Sequence, residues 1–332
     1  MIKFLVKLIK NISRKLVKLS VSYYKVFLYR IRLLIYKHLL VCKIMNNIDN
    51  KLIAKPEIIV SITTTSFRIN YINEVIKSFC NQSLKPDKIF LYLSKDPYLK
   101  DKGVPLEDIP IFLKRSEKKN EISIVYTENI GPYRKLIPIL KDQYKNNCVI
   151  ITADDDTIYP YDWIEVLYAG YLNDPNKVVA HRCRIMSVQN KKLSSYSDWP
   201  LMLQNPGVQK DSKQEIKNES RDFHLFPTGK GGILYSPSFF SELVFDKIFL
   251  KLAPTNDDIW FKFMALINNV GVNCVKSRLN MHPSFFSIER SKISHLYDNN
   301  TSLGGVNNDQ MIDNVVKYLE HEGLFNMQEY FK

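Results

Sequence analysis

With 332 residues and 45% hydrophobic content, the chain has material for one large core or two modest ones and an ordinary globular composition. Its formal charge of +13 would suggest nucleic acid, but residues 1–45 carry eleven Lys and Arg and no Asp or Glu, leaving the remainder at +2. Five cysteines (Cys42, Cys80, Cys148, Cys183, Cys274) without a C-x-x-C spacing, and six histidines without a paired zinc pattern, exclude a disulfide framework and the common zinc motifs.

Residues 2–19 place Ile2, Leu5, Ile9, Ile12, Leu16 and Leu19 at helical spacing, with Lys and Arg on much of the opposite arc. No apolar stretch here reaches the ~18 residues of a spanning helix. The arm over 1–45 is therefore expected to lie on an anionic membrane surface, each basic residue contributing on the order of 1 kcal/mol. A signal peptide and a helix packed on a partner are the alternatives; Lys interrupts every apolar core that a signal peptide would need. Nucleic acid is not expected as a partner, since no recognition motif is present and the apolar stripe is regular.

A polar linker (46–56) leads to Glu57–Thr63, read as the first strand. Alternation follows: a helix over 71–81, a strand over 88–93, a helix over 109–118, a strand over 122–126, a helix over 135–144 and a strand over 149–152. This order predicts a mostly parallel α/β sheet with crossover helices. Neither a G-x-G-x-x-G nor a Walker A pattern is present; Thr63-Thr64-Thr65-Ser66-Phe67-Arg68 stands at the first strand exit instead.

The strand at Val149–Thr152 ends in Ala153-Asp154-Asp155-Asp156. Three adjacent carboxylates cannot be buried without a cation or raised pKa values, so they belong at the strand exit. Alternation puts Asp154 and Asp156 on one side and Asp155 on the other, a D-x-D pair able to share Mg2+ or Mn2+ and, through it, phosphate. The other reading is an acidic turn capping the helix that begins near Trp163. Farther on, Val178–Met186 reads as one strand, and 187–222 as an acceptor-side loop or a disordered insertion. Gly229-Lys230-Gly231-Gly232 then allows close backbone approach to a ligand, or forms a plain turn. Asp257-Asp258 open a helical pattern as caps or as a functional pair, a strand-like run covers 271–275, and 310–319 is a final helix.

The Thr-Thr-Thr-Ser-Phe-Arg exit, the helix ending in Asn81–Asp87, the Asp cluster and Asp257-Asp258-Ile259-Trp260 together resemble a family 2-type bacterial glycosyltransferase of the GT-A fold, over residues 57–290. The resemblance implies a GT-A-type, Rossmann-like, mostly parallel sheet flanked by helices, with a donor half (57–160) and an acceptor half (161–290). It implies that Thr63, Thr65 and Arg68 flank the base and ribose of a nucleotide-sugar donor, and that Asp154 and Asp156 hold Mn2+ or Mg2+ on the diphosphate. Asp155 is then a ribose or metal partner. Lys135 or Arg134 neutralises phosphate, unless both merely open a solvated helix. Asp258 is the general base with Asp257 as its neighbour, and His282 is a third metal ligand or a surface side chain. The Q-x-x-R-W element of the polymer-synthesising branch is absent.

The expected activity is inverting transfer of a single sugar to a glycan or lipid-linked acceptor, in bacterial surface polysaccharide or lipopolysaccharide synthesis, at the cytoplasmic face of the inner membrane. Residues 299–310 are expected to close over the site, within a C-terminal segment of 291–332. The alternatives are a retaining glycosyltransferase or a nucleotidyltransferase using the same Asp–metal site, and a non-catalytic membrane-bound scaffold.

Overall fold

The computed structural model describes residues 55–189, 192–202, 222–275 and 307–331, and the backbone of 286–287. The basic arm, His282 and most of the expected closing loop lie outside the described residues. By contacts the chain divides into Met1–Lys55 and Pro56–Lys332, so the boundary falls within the expected linker.

The body opens with β1 (Glu57–Thr63), α1 (Asn73–Cys80), β2 (Lys88–Leu93), α2 (Ile111–Lys118), β3 (Ser123–Tyr126), α3 (Ile137–Gln143) and β4 (Cys148–Ala153). β5 (Thr157–Ile158), α4 (Trp163–Asn173), β6 (Val178–Ala180), β7 (Cys183–Ile185), β8 (Val188–Gln189) and β9 (Lys192–Leu193) come next. β10 (Leu225–Pro227), β11 (Ile233–Tyr235), α5 (Phe249–Leu252), α6 (Asp257–Ile267), β12 (Val272–Cys274), β13 (Phe286–Ser287), α7 (Asn308–His321) and α8 (Met327–Tyr330) complete the order.

Seven strands form one sheet in the order β12-β6-β11-β4-β1-β2-β3, in which only β11 runs against its neighbours. The expected α/β class, with a mostly parallel sheet flanked by helices, is the one found. β1 and β4 are apolar on both faces because both faces are covered. Ile59 and Ile150 pack into one core with α6 and α7, while Ile58, Val60, Ile62, Val149 and Ile151 pack into the other with α1 and α4. Each such side chain, wholly removed from water, contributes on the order of 1.5–3 kcal/mol.

Helix α6 buries nine of its eleven residues, as a helix wrapped by other elements must. α7 begins at Asn307, whose side chain accepts the Gln310 N–H at 2.9 Å, and it buries Met311, Ile312, Val315, Val316 and Leu319 along one stripe. Helix α7 thus packs on the same core as the sheet.

The expected single strand over 178–186 is two. β6 joins the main sheet, and β7 pairs with β10 in a separate antiparallel ribbon, the break falling at His181-Arg182. Gly232 explains the break's surroundings. It adopts φ +81°, and a Cβ there would lie 2.4 Å from the Trp163 ring, whose Nε1 donates to Gly231 O at 2.9 Å.

Candidate active site

β1 and β4 are adjacent and parallel, with Ile62 opposite Ala153, so their exits open at the same edge of the sheet. Open α/β sheets bind ligands outside the C-terminal ends of their strands. The Thr-rich exit of β1 and the Asp cluster therefore meet there. Asp155 is buried, whereas the Asp154 and Asp156 side chains are 31% and 22% exposed.

Asp155 is held by Thr64 Oγ1, which donates to it at 2.6 Å, and by Arg68 Nη1 at 2.7 Å; the same Arg68 nitrogen is 3.5 Å from Asp156. Burial works against the Arg68 charge, but Asp155 and Asp156 outweigh it and raise its pKa. The Tyr159 hydroxyl accepts the Asp154 backbone N–H at 2.8 Å, and its ring lies 4.1 Å from that of Trp163. The acidic turn is thus fixed from both sides.

Lys135 is the centre of the arrangement. It ends the 3-10 turn Gly131–Lys135, its carbonyl accepts the Ser61 hydroxyl of β1, and its ammonium is buried 3.1 Å from Asp154 Oδ1 and 3.3 Å from Asp257 Oδ2. Burial alone would depress its pKa; Asp154, Asp257 and Asp258 together raise it well above the ordinary value. Lys135 is therefore neither solvated nor directed at open solvent. Arg134 departs from both expected roles, being 1% exposed and engaged with Asp101 Oδ2 at 2.9 Å and Thr64 O at 3.1 Å.

Asp257 and Asp258 occupy the first turn of α6, following Asn256 at the cap, where the helix dipole favours anions. Asp257 is buried; desolvation, with Asp258 and Asp154 adding repulsion, pushes its carboxyl up to about 7 against the pull of Lys135. Asp258 is half-buried and accepts the Gly229 N–H at 2.8 Å. Its carboxyl is raised as well, by burial first and by Asp154, with Lys135 pulling the other way.

The glycine run brings its backbone close to these charges. A Cβ at Gly229 would stand 2.9 Å from Lys135 Nζ, 3.0 Å from Asp154 Oδ1 and 3.2 Å from Asp258 Oδ1. Gly229 is therefore the point at which the lysine and two of the carboxylates converge, and any larger residue would separate them. A cleft of about 510 Å³ between Lys141, Tyr144, Glu242 and Phe245 lies at the opposite, N-terminal end of β4, away from these charges.

Of the expected donor contacts, Arg68 braces Asp155. Thr63 gives its hydroxyl to Tyr92 O at 2.9 Å, joining β1 to β2, and the Thr65 carbonyl accepts the backbone N–H groups of Arg68 and Ile69. The sequence assigns no role to Thr64, Tyr159 or Asp101, and it names Gly229 and Arg134 without the partners they have here. The one usable signal was a full Arg beside Lys135 in an otherwise apolar context. His282 lies outside the described residues, although β13, which follows it, pairs with β5 directly after the Asp turn.

Asp154, Asp257 and Asp258 surround one ammonium, so the site retains net negative charge and all-oxygen donors, which suits a hard divalent cation. Among the described residues no cluster of three metal-ligating side chains occurs.

The class defined by this architecture is an α/β fold with a mixed, mostly parallel seven-stranded sheet flanked by helices. Neither a protein family nor a curated protein matches the chain in sequence. Among solved structures, the chain is similar to 4-diphosphocytidyl-2C-methyl-D-erythritol synthase from Anaerococcus prevotii, at 16% identity and TM-score 0.38, over 69% of this chain and 90% of that one. It is similar also to CMP:2-keto-3-deoxy-manno-octonic acid synthetase complexed with CTP, at 9% identity and TM-score 0.38, over 67% and 90%. A third likeness is to S. aureus TarS, at 15% identity and TM-score 0.37, over 65% of this chain and 35% of that one.

Proposed function

We propose that the protein is a metal-dependent glycosyltransferase that moves one sugar from a nucleotide-sugar donor to a glycan or lipid-linked acceptor, with inversion. The observation that carries this reading is the meeting of Asp154 with Asp257 and Asp258, about a hundred residues apart in sequence, around one buried lysine at the C-terminal edge of the sheet. A divalent cation, held by Asp154 and Asp156, would supply charge neutralisation for the departing diphosphate.

The chain's own groups divide the remaining work. Thr64 and Arg68 hold Asp155 inward and so set the outward direction of its two neighbours. Lys135 fixes Asp154 relative to α6 and keeps the buried Asp257 carboxylate compensated. Asp258 is the more open member of the acidic pair and takes the proton from the acceptor hydroxyl. The acceptor oxygen then forms the new bond to the anomeric carbon while the carbon–oxygen bond to the diphosphate breaks, the electron pair leaving with phosphate. A carboxylate whose pKa is raised by burial suits that proton transfer.

Residues 1–45, with eleven cations, would hold the body on an anionic cytoplasmic membrane surface where a lipid-linked acceptor is confined. The composition, rich in Lys, Ile and Asn, suits a bacterial setting in surface polysaccharide or lipopolysaccharide synthesis.

Thermal unfolding of the full chain against UDP-, GDP-, CMP- and dTDP-sugars, with and without Mn2+, tests the reading. Stabilisation by one nucleotide class only with metal, lost in Asp156→Ala, is the expected result. No shift with any donor would remove the nucleotide-sugar assignment, and pyrophosphate release during turnover would replace glycosyl transfer by nucleotidyl transfer.

A further inference from the structure

Arg182 and Arg184 flank Cys183 on the β7 ribbon. Cys183 faces the core, so alternation places both arginines on the opposite face. Arg182 Nη1 donates to Thr228 Oγ1 at 2.6 Å, and the next residue, Gly229, gives its N–H to Asp258. Arg184 Nη1 donates to Trp199 O at 2.7 Å, and its guanidinium lies 4.8 Å from the Tyr196 ring centre, beside Phe226. Arg182 is thus tied to the residue before Gly229, and Arg184, two positions on, lies over the Tyr196 ring.

Among the described residues neither arginine forms an ion pair, and Arg184 Nε is buried without a hydrogen-bond partner. Burial lowers the Arg182 pKa, and Arg184 lowers it further, whereas Asp258 and Asp154 act in the opposite direction from beyond ion-pair range. Two half-buried like charges side by side are costly unless an anion covers them. Their planar forks match phosphate oxygens. Tyr196 is itself held in place: its backbone N–H and the Ser195 hydroxyl both donate to Asp309 at the start of α7.

We propose that Arg182 and Arg184 form a phosphate-binding wall of the acceptor subsite, so that the acceptor carries a phosphate close to the hydroxyl that reacts. The placement beside Asp258 rests on the glycosyltransferase reading; the phosphate site itself does not. A prenyl phosphate headgroup and a phosphodiester within a polymer are two sources of the same chemistry.

The test is calorimetric titration of the full chain with inorganic pyrophosphate in EDTA, repeated in Asp156→Ala to disable the donor side. Binding should persist in Asp156→Ala and weaken at least about tenfold in the double variant Arg182→Gln, Arg184→Gln, which keeps the basic arm. If the double Gln variant proves unstable, Arg182→Lys with Arg184→Lys serves instead: it keeps both charges but not the planar forks, and should weaken binding by a smaller, still measurable factor. Competition by farnesyl phosphate or by glycerophosphoglycerol identifies the source, and competition by neither overturns the proposal. Binding unaffected by the Gln pair, or absent from the wild type, likewise overturns it. Binding that requires Mn2+ and Asp156 would transfer the phosphate to the donor and leave the glycosyltransferase reading standing.

Discussion

Lys135 is an ion whose value depends on keeping its partners. Replacing it with Met leaves Asp154 and Asp257 facing each other across a buried space, and losing one member of a buried ion pair costs about 3–5 kcal/mol. Lys135→Met should therefore lower the unfolding free energy from chemical denaturation by that margin and abolish activity. Asp257 yields a pH prediction with a definite sign. Its carboxyl moves from 3.8 to about 7 on folding, so the folded chain holds this proton more tightly than the unfolded one. The contribution to stability is fully present below pH 3.8 and lost as pH rises towards about 7. The stability difference between wild type and Asp257→Asn should shift across that window, in favour of the variant as pH rises; a flat difference would mean the carboxyl is not perturbed. Because the Asp258 carboxyl is raised by burial, activity should fall on its acid side at a pH above that of an ordinary aspartate.

Among the elements, the glycine run between β10 and β11 has the sharpest requirements. Gly229→Ala would push a methyl between Lys135 and two carboxylates, and turnover should fall at least tenfold, about 1.4 kcal/mol, with little loss of melting temperature. Gly232→Ala should do the reverse in emphasis, since φ +81° and the rigid Trp163 ring both resist it, costing at least about 2 kcal/mol of stability. The strands that such turns connect differ in how far the sequence reveals them. Glu57–Thr63 and Lys88–Leu93 were legible to the residue because continuous apolar runs bounded by polar residues leave one solution. The break between β6 and β7 was not, because it depends on Gly232 and β10, some fifty residues away. The place of Asp154 at the exit of a buried strand was likewise legible, since adjacent carboxylates there need a reason. Thr64 on Asp155, Arg134 on Asp101 and Lys135 between two aspartates were not, because each pairing spans 19 to 122 positions and leaves no local pattern.

At the scale of the whole molecule, charge is segregated: eleven cations in residues 1–45 and a nearly balanced remainder. Among the described residues no helix is long and apolar enough to cross a membrane. Cosedimentation of the full chain with anionic vesicles should be strong at low ionic strength and fall steeply above about 0.3 M salt, while neutral vesicles retain little; salt-independent binding would contradict a surface-charge mode.

The position of β11 bears on how the chain is made. It closes the flank of β4, yet it is encoded at Ile233–Tyr235, some eighty residues after β4 ends. At typical synthesis rates of about 5–20 residues per second, a growing chain would carry that open flank for about 4–16 seconds. During this interval the central strand of the finished sheet is a bare edge, with Lys135 and Asp154 present but Asp257 not yet made. Ribosome-bound chains arrested between residues 160 and 230 are where chaperone engagement and misassembly should concentrate.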